Sequence, residues 1–310
     1  MNFYLIIISS LISLTLVYYS QKYFLRNKRI VKINNRSSHS VIATCNGGLA
    51  IFLTLFIISS WNYLSGVTLF DYSLLIPLAI MVVLGMYDDN KTVDFKLKFI
   101  FQIIVAKIIV DNGFIIDNLH GFIGIHELSN ILAQSLTIFV VVGIINAINF
   151  IDGIDGLALT IISIFIISFE FFMKNYPEFR ALSSILLGSF IPVLIFNFKK
   201  KNKVFLGDGG SLLLGSIISI YTIFILSNQY LIKDEYDINK ILFVMSILIY
   251  PFSDISRVFF FRIIKGQSPF VADKNHIHHI LLRFIKSHII ISTIIGVSTF
   301  LTVLVFQVFF

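Results

Sequence analysis

Apolar residues in this 310-residue chain come in long blocks rather than at the two-residue period of a strand. Blocks of spanning length fall at about 3–20, 46–63, 72–87, 97–112, 132–148, 157–173, 181–198, 209–228, 239–261 and 287–308. A helix rises 1.5 Å per residue, so about 20 apolar residues cross a hydrocarbon layer about 30 Å thick. The pattern predicts an all-α polytopic membrane protein with about ten transmembrane helices, in a single integral membrane domain over residues 1–310. Polar residues are confined to short connections, so no appended soluble domain is expected. The 97–112 block is the weakest, because Lys107 interrupts it. The first block lacks a basic stretch before it and a convincing cleavage site, and is expected to remain as a span.

Composition agrees with the pattern. The chain is 57% hydrophobic and 13% charged, whereas a soluble domain carries about a quarter of its residues as charged side chains. That excludes a disordered protein and an ordinary cytosolic enzyme. The single cysteine, Cys45, excludes a disulfide scaffold. A net charge of +7 suits either nucleic acid or the cytoplasmic face of a membrane, and its placement decides. Lys22, Arg26, Lys28, Arg29, Lys32 and Arg36 follow the first block, which puts the N-terminus outside. Alternating from there leaves 19 of the 24 Lys and Arg inside and four outside, namely Lys174, Arg180, Lys233 and Lys240. The expected topology is N-out and C-out, with the lipid bilayer and not nucleic acid as the partner of the positive charge.

The inner connections also hold the unusual chemistry. Asp88-Asp89 ends the third block, on the unfavourable pole of a helix dipole, where a carboxylate pair can hold a cation or accept a proton. Asn146, Asn149 and the pairs Asp152-Gly153 and Asp155-Gly156 lead into the sixth block and suit a base, a ribose or a metal bound through oxygen. Gly207-Asp208-Gly209-Gly210-Ser211 opens the eighth, after Asn197, a run of lysines and Phe205, which can stack on a base. Glycines there let a ligand approach the backbone, and an exposed helix N-terminus attracts anions. Asp254, Arg257, Arg262 and Lys265 follow the ninth block, and then Asp273, Lys274, His276, His278 and His279, which suit a diphosphate or a metal. All of these groups lie on one side, at membrane-edge depth. A transport pathway would place them at mid-depth and on both sides. The arrangement predicts one active site on cytoplasmic loops.

Four ordered stretches carry a family resemblance: Asp88-Asp89; Asn-Ala-Ile-Asn-Phe-Ile-Asp-Gly-Ile-Asp-Gly-Leu-Ala from Asn146; Phe-Leu-Gly-Asp-Gly-Gly-Ser-Leu from Phe205; and Ser-Pro-Phe from Ser268 with Asp-Lys-Asn-His-Ile-His-His from Asp273. They resemble the polyprenyl-phosphate N-acetylhexosamine-1-phosphate transferases, glycosyltransferase family 4, in the WecA/TagO/WbpL-like branch related to MraY. The His-Ile-His-His form is similar to that branch. Arg36-Ser37-Ser38-His39 and Gly47-Gly48 also match, and the likeness runs from Arg36 to about Arg283. Between them the chain reads Val-Ile-Ala-Thr-Cys-Asn, from Val41 to Asn46, where the family has Pro-Thr and a basic residue.

The resemblance implies transfer of a HexNAc-1-phosphate from a UDP-sugar to undecaprenyl phosphate with release of UMP. This would be the first membrane step of a cell-surface polysaccharide, O-antigen or cell-wall glycan, in a bacterial inner membrane. It implies Mg²⁺, with Mn²⁺ as the alternative, held by Asp208 and the side-chain oxygen of Asn149. Asp88 would orient the acceptor or take its last proton, and Asp89 would assist Asp88 or the metal. Asp155 and Phe205 would contact uracil, and His278 and His279 the donor diphosphate. Lys98 and Gln102, four apart on one helical face, would approach the acceptor phosphate, while Asn146, Asp152, Asn197 and His276 complete the expected substrate contacts. A homodimer is left open. Two other classes compete, a proton-coupled membrane transporter and an intramembrane aspartyl protease.

Overall fold

The computed structural model describes residues 1–31, 41–172, 177–227, 238–266 and 275–309. Each apolar block coincides with a long helix: α1 (Phe3–Arg26), α2 (Gly47–Leu64), α3 (Leu75–Lys91), α4 (Phe95–Asp111), α5 (Asn130–Ile151), α6 (Leu157–Phe172), α7 (Pro177–Asn197), α8 (Gly207–Leu226), α9 (Ile238–Ile264) and α11 (His288–Phe309). A short helix, α10 (Ile277–Phe284), precedes the last of these. Among the described residues, eight helices are long and apolar enough to cross a membrane. The other two long helices are α6, apolar but 16 residues long, and α4, 17 residues long with three lysines. The protein is a nearly all-α polytopic membrane protein. Large apolar side chains such as Trp61, Phe139, Phe171 and Val308 stand exposed, as they do where a helix meets lipid.

Helix α8 is the hub. It is apolar on every face, the pattern of a helix enclosed by others, and packs mainly on α3 and α5. Hydrophobicity gives no preference for protein over lipid, so close contact depends on small residues. Gly215 supplies one such contact, since a Cβ there would lie 2.7 Å from the Ile145 Cα on α5. At the other end, Gly48, Gly85 and Gly210 bring the backbones of α2, α3 and α8 too close together for any side chain.

The helices do not account for everything. Residues Ala43–Cys45 (β1) and Lys203–Phe205 (β2) form a parallel pair in the register Ala43↔Lys203, Thr44↔Val204, Cys45↔Phe205. Each strand runs almost directly into a helix, β1 into α2 and β2 into α8. Buried Asn46, between β1 and α2, accepts from the Thr44 hydroxyl at 2.6 Å and donates to Ser20 Oγ on α1 at 2.8 Å. The pairing fixes where Gly47 and Gly207 begin their helices, and so where Asp208 stands.

Candidate active site

The last turn of α3 brings its two carboxylates to the start of α8. Asp89 accepts hydrogen bonds from the backbone N–H groups of Asp208 (2.9 Å) and Gly209 (3.4 Å), and so caps α8 from another helix. The Asp88 carboxylate is ion-paired with Lys98, one turn into α4, and accepts from the Val93 N–H. Lys98 Nζ also lies 3.0 Å from Asp208 Oδ2, so one ammonium bridges Asp88 and Asp208. On its other oxygen Asp208 faces Asn149 Nδ2 at 3.3 Å, and that amide donates to Ser211 Oγ at 2.8 Å. Gln102 and Asn146 form a reciprocal amide pair, at 2.8 and 3.3 Å, between α4 and α5.

A cavity of about 340 Å³ opens beside this cluster. Asp89 and Asp208 form one wall, Asp152 and Asp155 from the loop between α5 and α6 another, and Phe205 and His279 stand at its sides. Asn197 lines it too: its Nδ2 donates to the Val204 carbonyl at 2.8 Å, and its buried Oδ1 has no hydrogen-bond partner among the described residues. Asp152 and Asp155 have opposite electrostatics. Burial, reinforced by the charges of Asp208 and Asp89, pushes the Asp152 carboxyl well above the usual carboxylate range. Burial acts the same way on Asp155, but His288 and Lys203 outweigh it and hold that carboxyl below the range. Asp155 Oδ2 is ion-paired with Lys203 and lies 3.0 Å from His288 Nδ1.

The histidine segment divides. His276 Nδ1 lies 2.8 Å from Asp254 Oδ2, and its ring is almost fully buried. His278 is wholly buried, with Nδ1 3.2 Å from the Tyr250 hydroxyl and its ring against Gly153. Burial, with the nearby His279, brings its pKa down to about 3, so the ring is neutral at physiological pH. Only His279 of the three lines the cavity. The rings of His278, expected at the donor diphosphate, and of His276, expected at the substrate, are packed into protein, and neither lines the cavity. Buried Gln102 and Asn146 are likewise committed to each other, and neither lines the cavity. Two further expectations change. The glycines of the α8 start serve close helix packing, and the first N–H groups of α8 are occupied by Asp89 rather than open to an anion. Asp273, Lys274 and the stretch from Arg36 to His39 lie outside the described residues.

The family model described as glycosyl transferase family 4 matches residues 72–226, which run from the start of α3 to the end of α8 and include every carboxylate of the cavity. A probable undecaprenyl-phosphate N-acetylglucosaminyl 1-phosphate transferase of Bacillus subtilis is 31% identical over 268 residues, covering 82% of this chain and 70% of the relative. The chain belongs to glycosyl transferase family 4. An undecaprenyl-phosphate alpha-N-acetylglucosaminyl 1-phosphate transferase of Haemophilus influenzae is 32% identical over 262 residues, covering 81% of this chain and 71% of its own. A decaprenyl-phosphate N-acetylglucosaminephosphotransferase of Mycobacterium leprae is 31% identical over 272 residues, with coverage of 78% and 67%.

This family 4 member supports its site through residues to which the sequence assigned no role. Lys203 and His288 hold Asp155, Ser211 holds Asn149, and Tyr250 and Asp254 hold the histidines. Asp254 carried a usable signal, as an acid set among apolar residues of a spanning helix. The others carried none, since an isolated Ser, Tyr or Lys near a helix end is ordinary.

Proposed function

We propose that the protein transfers an N-acetylhexosamine-1-phosphate from a UDP-sugar to undecaprenyl phosphate, giving the lipid diphosphate sugar and UMP. The transfer would take place on the cytoplasmic side of a bacterial inner membrane, with both termini outside, as the first membrane step of a surface glycan. The observation that carries the reading is the single cavity in which Asp89, Asp152, Asp155, Asp208, Phe205 and His279 converge at helix ends. The names of the relatives supply the substrate class. A transporter or an aspartyl protease gains no support from either.

The donor set fits a divalent cation. Four carboxylates line one cavity, and the Asp152 carboxyl is raised by its burial and then by the negative charge of its neighbours. No group of three His, Cys, Asp or Glu side chains among the described residues is close enough to hold a metal alone. That suits Mg²⁺, which keeps several waters and binds few protein groups beside substrate phosphates. Asp208 would hold it, joined by the side-chain oxygen of Asn149 once that amide, whose nitrogen faces Asp208 here, is turned over, and the ion would supply charge neutralisation for the transferred phosphoryl group.

The chain's own groups do the rest. A phosphate monoester with a second pKa of about 6 is largely dianionic at neutral pH, so the acceptor needs little base catalysis. Asp88, fixed by Lys98 and the Val93 N–H, orients the acceptor and accepts any remaining proton at its carboxylate. Lys98 neutralises phosphate charge at the meeting point of α3, α4 and α8. Phe205 stacks on uracil beside Asp155, and His279 donates to the donor diphosphate. Direct in-line displacement predicts inversion at phosphorus, and retention in a chiral-phosphate experiment would sink it. The test of the function is purified protein with undecaprenyl phosphate, Mg²⁺ and a panel of UDP-N-acetylhexosamines, reading UMP. No UMP from folded protein with any donor would defeat the assignment.

A further inference from the structure

We propose that Asp254 is a positioning residue for this transfer. It grips the histidine segment through His276, and so places His279 at the cavity. The reaction it serves is the one proposed above, but the clamp itself stands on geometry. Asp254 lies in the spanning helix α9 and is fully buried. An ionised group at such a position persists only when it is paired. Both of its oxygens are committed. Oδ2 accepts from His276 Nδ1 at 2.8 Å. Oδ1 accepts from the Ile277 N–H at 2.8 Å and from Arg257 Nη2 at 3.0 Å. The Ile277 N–H is the first of α10 and has no partner within its own helix. Arg257, one turn further along α9, also donates to the Asn275 carbonyl. Two side chains of one helix thus hold three successive residues, Asn275, His276 and Ile277.

The grip reaches the cavity through rings. The His276 ring stacks with Phe150 (5.9 Å, 22°) and with His278 (5.5 Å, 10°). His278 in turn meets His279 at 4.4 Å. Phe150 follows Asn149, whose amide faces Asp208. Tyr250, one turn before Asp254, hydrogen-bonds His278. Of this row only His279 borders the cavity, and the row gives it one place to stand. None of the hydrogen-bond partners named for Asp254 lines the cavity, so its effect on the reaction passes through His276.

The test is a double-mutant cycle read by two methods. Asp254→Asn preserves size and removes the charge, and His276→Gln removes its partner. Each single variant is expected to lose about 10- to 100-fold in kcat/KM for the UDP-sugar, the range for displacing a site group by about 1 Å or removing its outer support. The KM for undecaprenyl phosphate should stay at the wild-type value. The double variant should be no worse than the poorer single one, because the two act as a unit. Hydrogen exchange, measured without substrate, should speed up over 275–284 in all three variants and stay unchanged in α3 and α8. Losses that multiply, wild-type turnover, or wild-type protection over 275–284 in an impaired variant would each overturn the proposal. If Asp254→Asn does not fold, Arg257→Gln keeps the Asp254–His276 pair and removes the Arg257 contacts to Asp254 Oδ1 and to the Asn275 carbonyl. It should show a smaller rise in exchange and a smaller loss in kcat/KM, and wild-type behaviour in both would count against the clamp. A wild-type protein that releases no UMP would defeat the transferase reading alone, and the exchange data would still judge the clamp.

Discussion

Gly207 is the first residue of α8, and its replacement by alanine tests how tightly the start of that helix is specified. Its φ is +73°, where an L-residue costs roughly 1–2 kcal/mol. A Cβ there would also lie 2.6 Å from Asp89 Oδ2 and 2.9 Å from the Cys45 Cβ. Neither neighbour can yield freely, because Cys45 is paired with Phe205 across the two strands and Asp89 is pinned by the N–H groups of Asp208 and Gly209. Ordinary contact begins at 3.4 Å, so the carboxylate must withdraw by 0.8 Å or the start of α8 must move with Asp208. Loss of the cap adds about 1 kcal/mol to the strain. A misplacement of about 1 Å costs up to about 100-fold in rate, so kcat/KM should fall about tenfold or more. Gly113→Ala is the control, since φ there is +89° and nothing lies within 4 Å of the new Cβ. It carries the strain without the displacement. Thermal unfolding in detergent should show both variants destabilised, Gly207→Ala by about 1 kcal/mol more. UMP release should drop only in Gly207→Ala. Wild-type kcat/KM in Gly207→Ala, or an equal loss in Gly113→Ala, would refute the reasoning.

Asp208→Asn should lower UMP release by about 10²- to 10³-fold, and chelation of the wild-type protein should abolish turnover that added Mg²⁺ restores; near-normal Mg²⁺-dependent turnover in Asp208→Asn would remove that residue from the site. The His278 pKa of about 3 against an ordinary 6.5 means that the unfolded chain binds a proton the native ring refuses. Stability is therefore lost as pH falls below 6.5. Thermal midpoints taken downward from pH ~7.5 should show this acid lability, and His278→Gln should flatten it. Lys203→Met leaves buried Asp155 with His288 as its remaining ion-pair partner and should cost about 3 kcal/mol in thermal unfolding, with a raised KM for the donor; unchanged stability would mean that the pair is not formed in the membrane.

Much of this architecture was legible in hydropathy alone. The block at 46–63 became Gly47–Leu64 and that at 239–261 became Ile238–Ile264, because apolar length is what a membrane demands. Polar helix ends were less legible: α3 continues to Lys91 and α5 to Ile151, so Asp88, Asp89, Asn146 and Asn149 stand on helices rather than in loops. Hydropathy marks where a helix is greasy, not where its hydrogen bonds stop. The strands were invisible, since each has three residues and its partner lies about 160 positions away. They explain why the Val41–Asn46 stretch has a structural role of its own, with β1 and Asn46 inside it. The carboxylates of the cavity were found by residue type and spacing. Their partners were not, because Asp254 with His276, or Lys203 with Asp155, are pairs that only the packing of helices creates.

The cap on α8 changes how the site must handle phosphate. A glycine-rich turn at a helix start suggests fixed backbone N–H groups waiting for an anion, but here Asp89 already occupies the first of them. The cations near the cavity are side chains, and the two whose pairings are defined are engaged: Lys98 with Asp88 and Asp208, Lys203 with Asp155. An incoming phosphate therefore competes with carboxylates for mobile ammonium groups rather than settling onto a rigid cradle. Each exchange frees a carboxylate, and burial makes a freed carboxylate costly. The Asp152 carboxyl, raised by its burial and by the charges of Asp208 and Asp89, lines the same cavity and would bear part of that cost. A donor that arrived with a divalent cation would bring its own counter-charge, which is the physical reason for proposing one.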